Sequence, residues 1–138
     1  MAISNFMSAG RNALIVRVTS YRDQCPKGSL SGSCLDKPVR FNSLAQLLMM
    51  MEALMDRENQ PQRGEEPRSF GQQDLFQRTA PAQGGEKPVA AFQISVLFRQ
   101  NASWQGTLVW LDRKLDAQFR SVLELIRLMD SALSAGVE

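Results

Sequence analysis

The sequence predicts an α+β fold made by internal duplication. Two β-β-β-α units contribute antiparallel sheets and two amphipathic helices, and a disordered linker joins them. Three observations predict this. First, residues 41–55 (F-N-S-L-A-Q-L-L-M-M-M-E-A-L-M) and 119–133 (F-R-S-V-L-E-L-I-R-L-M-D-S-A-L) are two versions of one segment. Phe41 and Phe119, Ser43 and Ser121, Leu47 and Leu125, Met51 and Met129, and Glu52 and Asp130 all match at an offset of 78. Gly28 with Gly106 and Leu30 with Leu108 keep that offset, and Tyr21-Arg22 matches Phe98-Arg99 once one residue is dropped between. Second, β-branched runs precede each helix. Third, a polar stretch without hydrophobic period separates the copies. A repeated segment of this length marks one supersecondary unit used twice. The units are placed at 1–56 and 89–138, with the linker at 57–88.

Each element has its own reason. Residues 13–22, A-L-I-V-R-V-T-S-Y-R, read as a half-buried strand with Val16, Val18 and Ser20 on one face and Arg17 and Thr19 opposite. Asp23 to Gly28 holds Pro26 and Gly28 and reads as a loop. Ser29–Leu35 is a weaker strand, and Pro38–Phe41 a short extended piece suited to an edge. Ser43 with Gln46 forms a capping box. Leu44, Leu47, Leu48, Met51, Leu54 and Met55 then make one apolar helical stripe, widened by Met49 and Met50.

The linker is rich in Gln, Glu, Arg, Gly and Pro and cannot bury enough apolar surface to offset its ordering entropy. One island, Phe70, Leu75 and Phe76, is either a packed patch or a docking motif. In the second unit Phe92, Ile94, Val96 and Phe98 alternate with Gln93, Ser95, Leu97 and Arg99. Gln100–Gly106 is a turn, Thr107–Leu111 a strand, Asp112-Arg113-Lys114 a tight turn and Leu115–Phe119 a third strand. Ser121 with Glu124 is a second capping box. Val122, Leu125, Ile126, Met129, Ala132 and Leu133 form the second stripe, and Gly136 stands at the C-cap. Each unit alone is too small for a self-sufficient core, so the two are expected to share one in a pseudo-twofold arrangement, with the helices packed over a shared sheet or against each other.

The totals exclude several function classes. The chain has 138 residues, 43% of them apolar and 22% charged, with a net charge of +2. Residues 1–56 carry six basic and four acidic groups, and 57–88 and 89–138 carry five of each. The basic footprint of a typical nucleic-acid binder is therefore missing. No apolar run reaches the ~20 residues needed to span a bilayer. Met1–Asn12 lacks the order of a signal peptide, so the expected location is cytoplasmic. Histidine is absent, which removes the commonest general base and a principal zinc ligand. Cys25 and Cys34 read as free thiols. There is no phosphate-binding glycine loop and no nucleophile elbow. No catalytic residue, cofactor or metal is expected, and the chain reads as a non-enzyme.

The turn Asn101-Ala102-Ser103-Trp104-Gln105-Gly106 is the most unusual local sequence. It satisfies the [D/N]-x-S-x-x-G half of the signature of PilZ-type cyclic-di-GMP receptors. The arginine half, R-x-x-x-R, is missing: Arg17 and Arg22, like Arg63 and Arg68, stand one residue too far apart. A cyclic-dinucleotide module is the remote alternative. Trp104 either folds back on the sheet edge or anchors a partner. On the second reading Asn101, Ser103, Trp104 and Gln105 face a protein partner or a second copy, and Trp104→Ala weakens association by about 2 kcal/mol or more at little cost to the fold. The sequence thus points to an interaction or adaptor subunit of a larger complex. The seven methionines, with Met49–Met51 together, and the sheet edges to be covered point the same way. The alternative is a sheet-surface single-stranded nucleic-acid binder using Arg99, Trp110, Arg113 and Lys114 as cations and platform.

The run F-R-Q-N-A-S-W-Q-G-T-L-V-W-L followed by F-R-S-V-L-E-L-I-R-L-M-D-S-A-L resembles a group of small, uncharacterised proteins of anaerobic, clostridia-like bacteria. They are similar in an A-S-W-Q-G turn and an F-R-S-x-x-E-L helix start. The resemblance covers about residues 92–133. It implies a bacterial, cytoplasmic protein and carries over no site residue.

Overall fold

The computed structural model of the chain describes residues 13–33, 35–58, 61 and 87–136. The elements are β1 (Ala13–Arg22), β2 (Cys25–Gly32), β3 (Val39–Phe41), α1 (Leu44–Glu58), β4 (Ala90–Phe98), β5 (Gln105–Trp110), β6 (Leu115–Phe119) and α2 (Val122–Gly136). The fold is α+β. In place of two three-stranded sheets there is one antiparallel sheet of six strands, in the order β3-β2-β1-β4-β5-β6. The join is the β1–β4 pairing, from Ala13↔Ser95 through Ile15↔Gln93 to Arg17↔Ala91 and Val18↔Ala90. Ile15 and Gln93 are themselves 78 apart, so the pairing reads the same from either strand.

Both helices pack on one face of the sheet. Leu14, Val16 and Val18 of β1, Leu30, Phe41, Phe92, Ile94, Val96, Leu108 and Phe119 meet Leu47, Met50, Met51 and Leu54 of α1 and Leu125, Met129 and Leu133 of α2 in a single core. Each Leu or Phe of this size contributes roughly 1.5–3 kcal/mol when fully buried. The methionine triple divides: Met50 and Met51 are fully buried, and only Met49 is exposed. The helix caps follow the sequence pattern. The Gln46 amide donates to Ser43 Oγ (3.1 Å) and the Glu124 amide to Ser121 Oγ (3.2 Å). The Gln46 and Glu124 side chains reach back one residue beyond the cap, to the amides of Asn42 and Arg120, both at 2.7 Å.

The predicted loop at 23–28 is a correction. The chain turns within two residues, Asp23 and Gln24, both at positive φ (53° and 58°), as a tight hairpin requires. Pro26 and Gly28 lie inside β2. At the other hairpin Asn101 and Ala102 also take positive φ, 56° and 55°. A second correction concerns phase. β1 shifts register between Val18 and Ser20, and β4 between Val96 and Phe98. In each strand one extra residue, Thr19 or Leu97, bulges out, and the side chains after it swap faces. Ser20 therefore leaves the face of Val18, and Phe98 that of Val96. The offset of 78 runs unbroken through both bulges: Tyr21 stands in register with Arg99, not with Phe98.

Gly28 and Gly106 explain where the bulges fall. A Cβ on Gly28 would lie 1.8 Å from the Arg17 carbonyl oxygen, and one on Gly106 2.0 Å from that of Ser95. Each glycine pairs with the valine that precedes a bulge, Val18 or Val96.

Helix α1 runs two residues into the segment predicted as linker, and the rest of 57–88 lies outside the described residues except for Pro61, Lys87 and Pro88. The Phe70–Phe76 island and Cys34 also lie outside them. Among the described residues no helix is long and apolar enough to cross a membrane.

Candidate interaction surface

The bulge in β4 turns Arg99 inward. It is 3% exposed. Its Nη1 donates to Glu52 Oε1 at 2.8 Å and to Asp56 Oδ1 at 2.7 Å, and its Nε donates to the Pro61 carbonyl at 2.6 Å. Glu52 uses its other oxygen, Oε2, to accept from Trp104 Nε1 at 2.6 Å. An arginine this buried is tolerable only with such partners around it. The hairpin between β4 and β5 is thus fastened to helix α1 by one guanidinium and one indole.

The corresponding position in the other half does the same work with different chemistry. Tyr21, 78 residues before Arg99, donates its hydroxyl to Asp130 Oδ1 at 2.5 Å. Asp130 is the helix acid that matches Glu52. Each helix therefore holds the hairpin of the opposite half. Burial first, and then the hydrogen bond to Asp130 and its charge, push the Tyr21 hydroxyl up to about 12 from 10. A phenol with a raised folded pKa stabilises fully below its unfolded pKa and loses that contribution as pH rises through the folded one. The unfolding midpoint is therefore expected to fall between pH 10 and about 12. In Tyr21→Phe that part of the fall should vanish, which a denaturation series over that range would reveal.

Of the residues predicted to face a partner, Trp104 takes the first of its two readings and folds back on the sheet: it is 4% exposed and lies in the core. Ser103 Oγ accepts from the Val122 amide at 3.0 Å, helping to fix the start of α2. Gln105 closes the turn, donating to the Gln100 carbonyl (3.0 Å) and accepting from the Gln100 amide (3.1 Å). Asn101 is exposed at the tip. In the half-signature for a cyclic dinucleotide, the Ser103 hydroxyl is thus engaged by the start of α2, and Gly106 stands where a side chain would strike the neighbouring strand.

The nucleic-acid set does not converge. Arg99 is buried at one end of β4. Trp110 ends β5 at the other, half-buried, with the Arg113 guanidinium 5.2 Å from its ring centre. Trp110 Nε1 is buried with no hydrogen-bond partner among the described residues, and Lys114 is an exposed turn residue at φ 53°.

What the sequence reading missed is the pair beside Arg99. Leu97 is 47% exposed and Phe98 55% exposed. Phe98 pairs with Gln105, one residue from Gly106, so both side chains lie on the sheet face away from the helices. In the first half the corresponding residues are Thr19 and Ser20, and Thr19 turns its hydroxyl to the Lys27 carbonyl at 3.0 Å. The same bulge thus presents a polar pair on one hairpin and an apolar pair on the other. The signal that could have found this was Gly106 opposite Val96, which marks the phase change. Among the described residues no group of His, Cys, Asp and Glu is placed to hold a metal ion.

No protein-family model, curated protein or solved structure matches the chain.

Proposed function

We propose that this is a non-enzymatic interaction subunit, built by duplication of a β-β-β-α unit, in which the second hairpin carries the partner-binding surface. The observation that supports this reading most is the exposed Leu97–Phe98 pair, set on a hairpin that Arg99 and Trp104 fasten to α1. A few exposed anchor side chains can carry most of an interface's binding energy, and Phe98 is the exposed aromatic on this hairpin. Gln105 and Asn101 flank the pair, so the surface overlaps the turn that the sequence singled out, with Phe98 in the place given to Trp104. The duplication is supported by the shared offset of helix bounds, caps, bulges and positive-φ turns. The resemblance to small bacterial proteins fits the same reading, with a cytoplasmic location.

The test converts the second hairpin to the chemistry of the first. The double variant L97T/F98S is expected to lose self-association or partner capture by tenfold or more, measured by light scattering and by quantitative pull-down with the full chain. Its unfolding midpoint should stay within a few degrees of wild type, since both side chains are about half exposed. Association that survives in the variant would remove this surface from the reading. The nucleic-acid alternative now rests on Trp110, Arg113 and Lys114 alone. It requires salt-dependent binding of an oligonucleotide that Trp110→Ala weakens.

A further inference from the structure

We infer that the seam between β1 and β4 accepts the matching half of a second copy of this chain, so that two chains can exchange halves into a dimer. This rests on the duplication reading and not on the Leu97–Phe98 surface. The seam is reciprocal. The five β1–β4 pairs from Ala13↔Ser95 to Arg17↔Ala91 map onto one another, with Ile15↔Gln93 mapping onto itself, when the halves are interchanged. The fastenings across the seam are reciprocal too. The acid of each helix serves the opposite half: Glu52 accepts from Arg99 and Trp104, and Asp130 accepts from Tyr21. None of these contacts depends on whether the two halves belong to one chain. An exchanged dimer keeps all of them, as in domain swapping generally.

Only the connection between the halves selects the one-chain form. Pro61 lies against Arg99, just past the far end of β4, whereas Lys87 stands just before its start. The two ends to be joined are thus separated by the length of β4, about 30 Å at roughly 3.3 Å per residue. Residues 62–86 are more than long enough for that. They also make the meeting of the two halves intramolecular, which raises its effective concentration. The intact chain is therefore expected to close on itself at micromolar concentration.

Removing residues 64–85 leaves three residues between Pro61 and Lys87, which reach about 14 Å at most. With Pro61 held at Arg99, one chain can then no longer supply both sides of its own seam. By light scattering this variant should run at twice the mass of one chain, with the near-ultraviolet circular dichroism of the wild type. Two differently tagged copies refolded together should yield mixed dimers at about half of the total. The dimer should persist when L97T/F98S is added. A folded monomer would overturn the proposal, as would a chain found only unfolded or aggregated. A dimer that L97T/F98S dissolves would overturn it as well, because it would be held by the hairpin surface and not by the seam.

Discussion

Replacing Trp104 with alanine is expected to lower the free energy of unfolding by about 3–5 kcal/mol, the usual cost of deleting a large buried aromatic. The indole is 4% exposed, so nearly all of its area would become cavity. The loss is compounded because Glu52 Oε2 gives up its 2.6 Å bond to the indole N–H. Trp104→Phe separates the two contributions: it keeps most of the packing and loses the donor, for about 1–3 kcal/mol. Denaturant titration of both variants would check this. An alanine variant as stable as wild type would mean that the indole is not in the core. The outcome also bears on function: any loss of association in Trp104→Ala would be a consequence of lost folding, which is why Phe98 is the residue to test for binding.

The second large effect is expected at the two glycines. Gly106→Ala places a methyl group 2.0 Å from the Ser95 oxygen, and Gly28→Ala one 1.8 Å from the Arg17 oxygen. Both obstacles are backbone in the middle of a sheet, so neither can swing aside as a side chain would. The strands must separate or the bulge must be rebuilt. Each substitution should cost at or beyond the ~3 kcal/mol upper end of ordinary single changes. Thermal unfolding of the two variants would measure it. The cost at the two positions should be similar, because the geometry is nearly the same. A neutral result at either would contradict the bulge register.

Much of this fold was legible in the sequence because it is written in local chemistry. The caps at Ser43 and Ser121 and the apolar stripes behind them fix both helices, and the Val16–Val18 and Phe92–Val96 alternations fix the central strands. The joining of the strands into one sheet was legible only as one of two options, since nothing local says that β1 must pair with β4. The tight turn of the β1–β2 hairpin and the early start of β2 were hidden by Pro26 and Gly28, residues that usually end strands. Here Pro26 occupies β2 and Gly28 makes room for the bulge. That bulge accounts for the largest error in the candidate site. Strict alternation puts Phe98 in the core and Arg99 at the surface. One extra residue, Leu97, reverses both, burying the arginine against Glu52 and Asp56 and exposing the phenylalanine. Trp104 followed from the same difficulty: a tryptophan in a turn carries no local sign of which way it folds.

Hydrogen–deuterium exchange on the full chain, alone and in its assembled state, tests the central claim most directly. If the second hairpin is the interaction surface, assembly should slow exchange across residues 96–105 and leave the corresponding first hairpin, residues 18–27, unchanged. Protection confined to the first hairpin, or to the Trp110–Lys114 turn at the opposite end, would contradict the account.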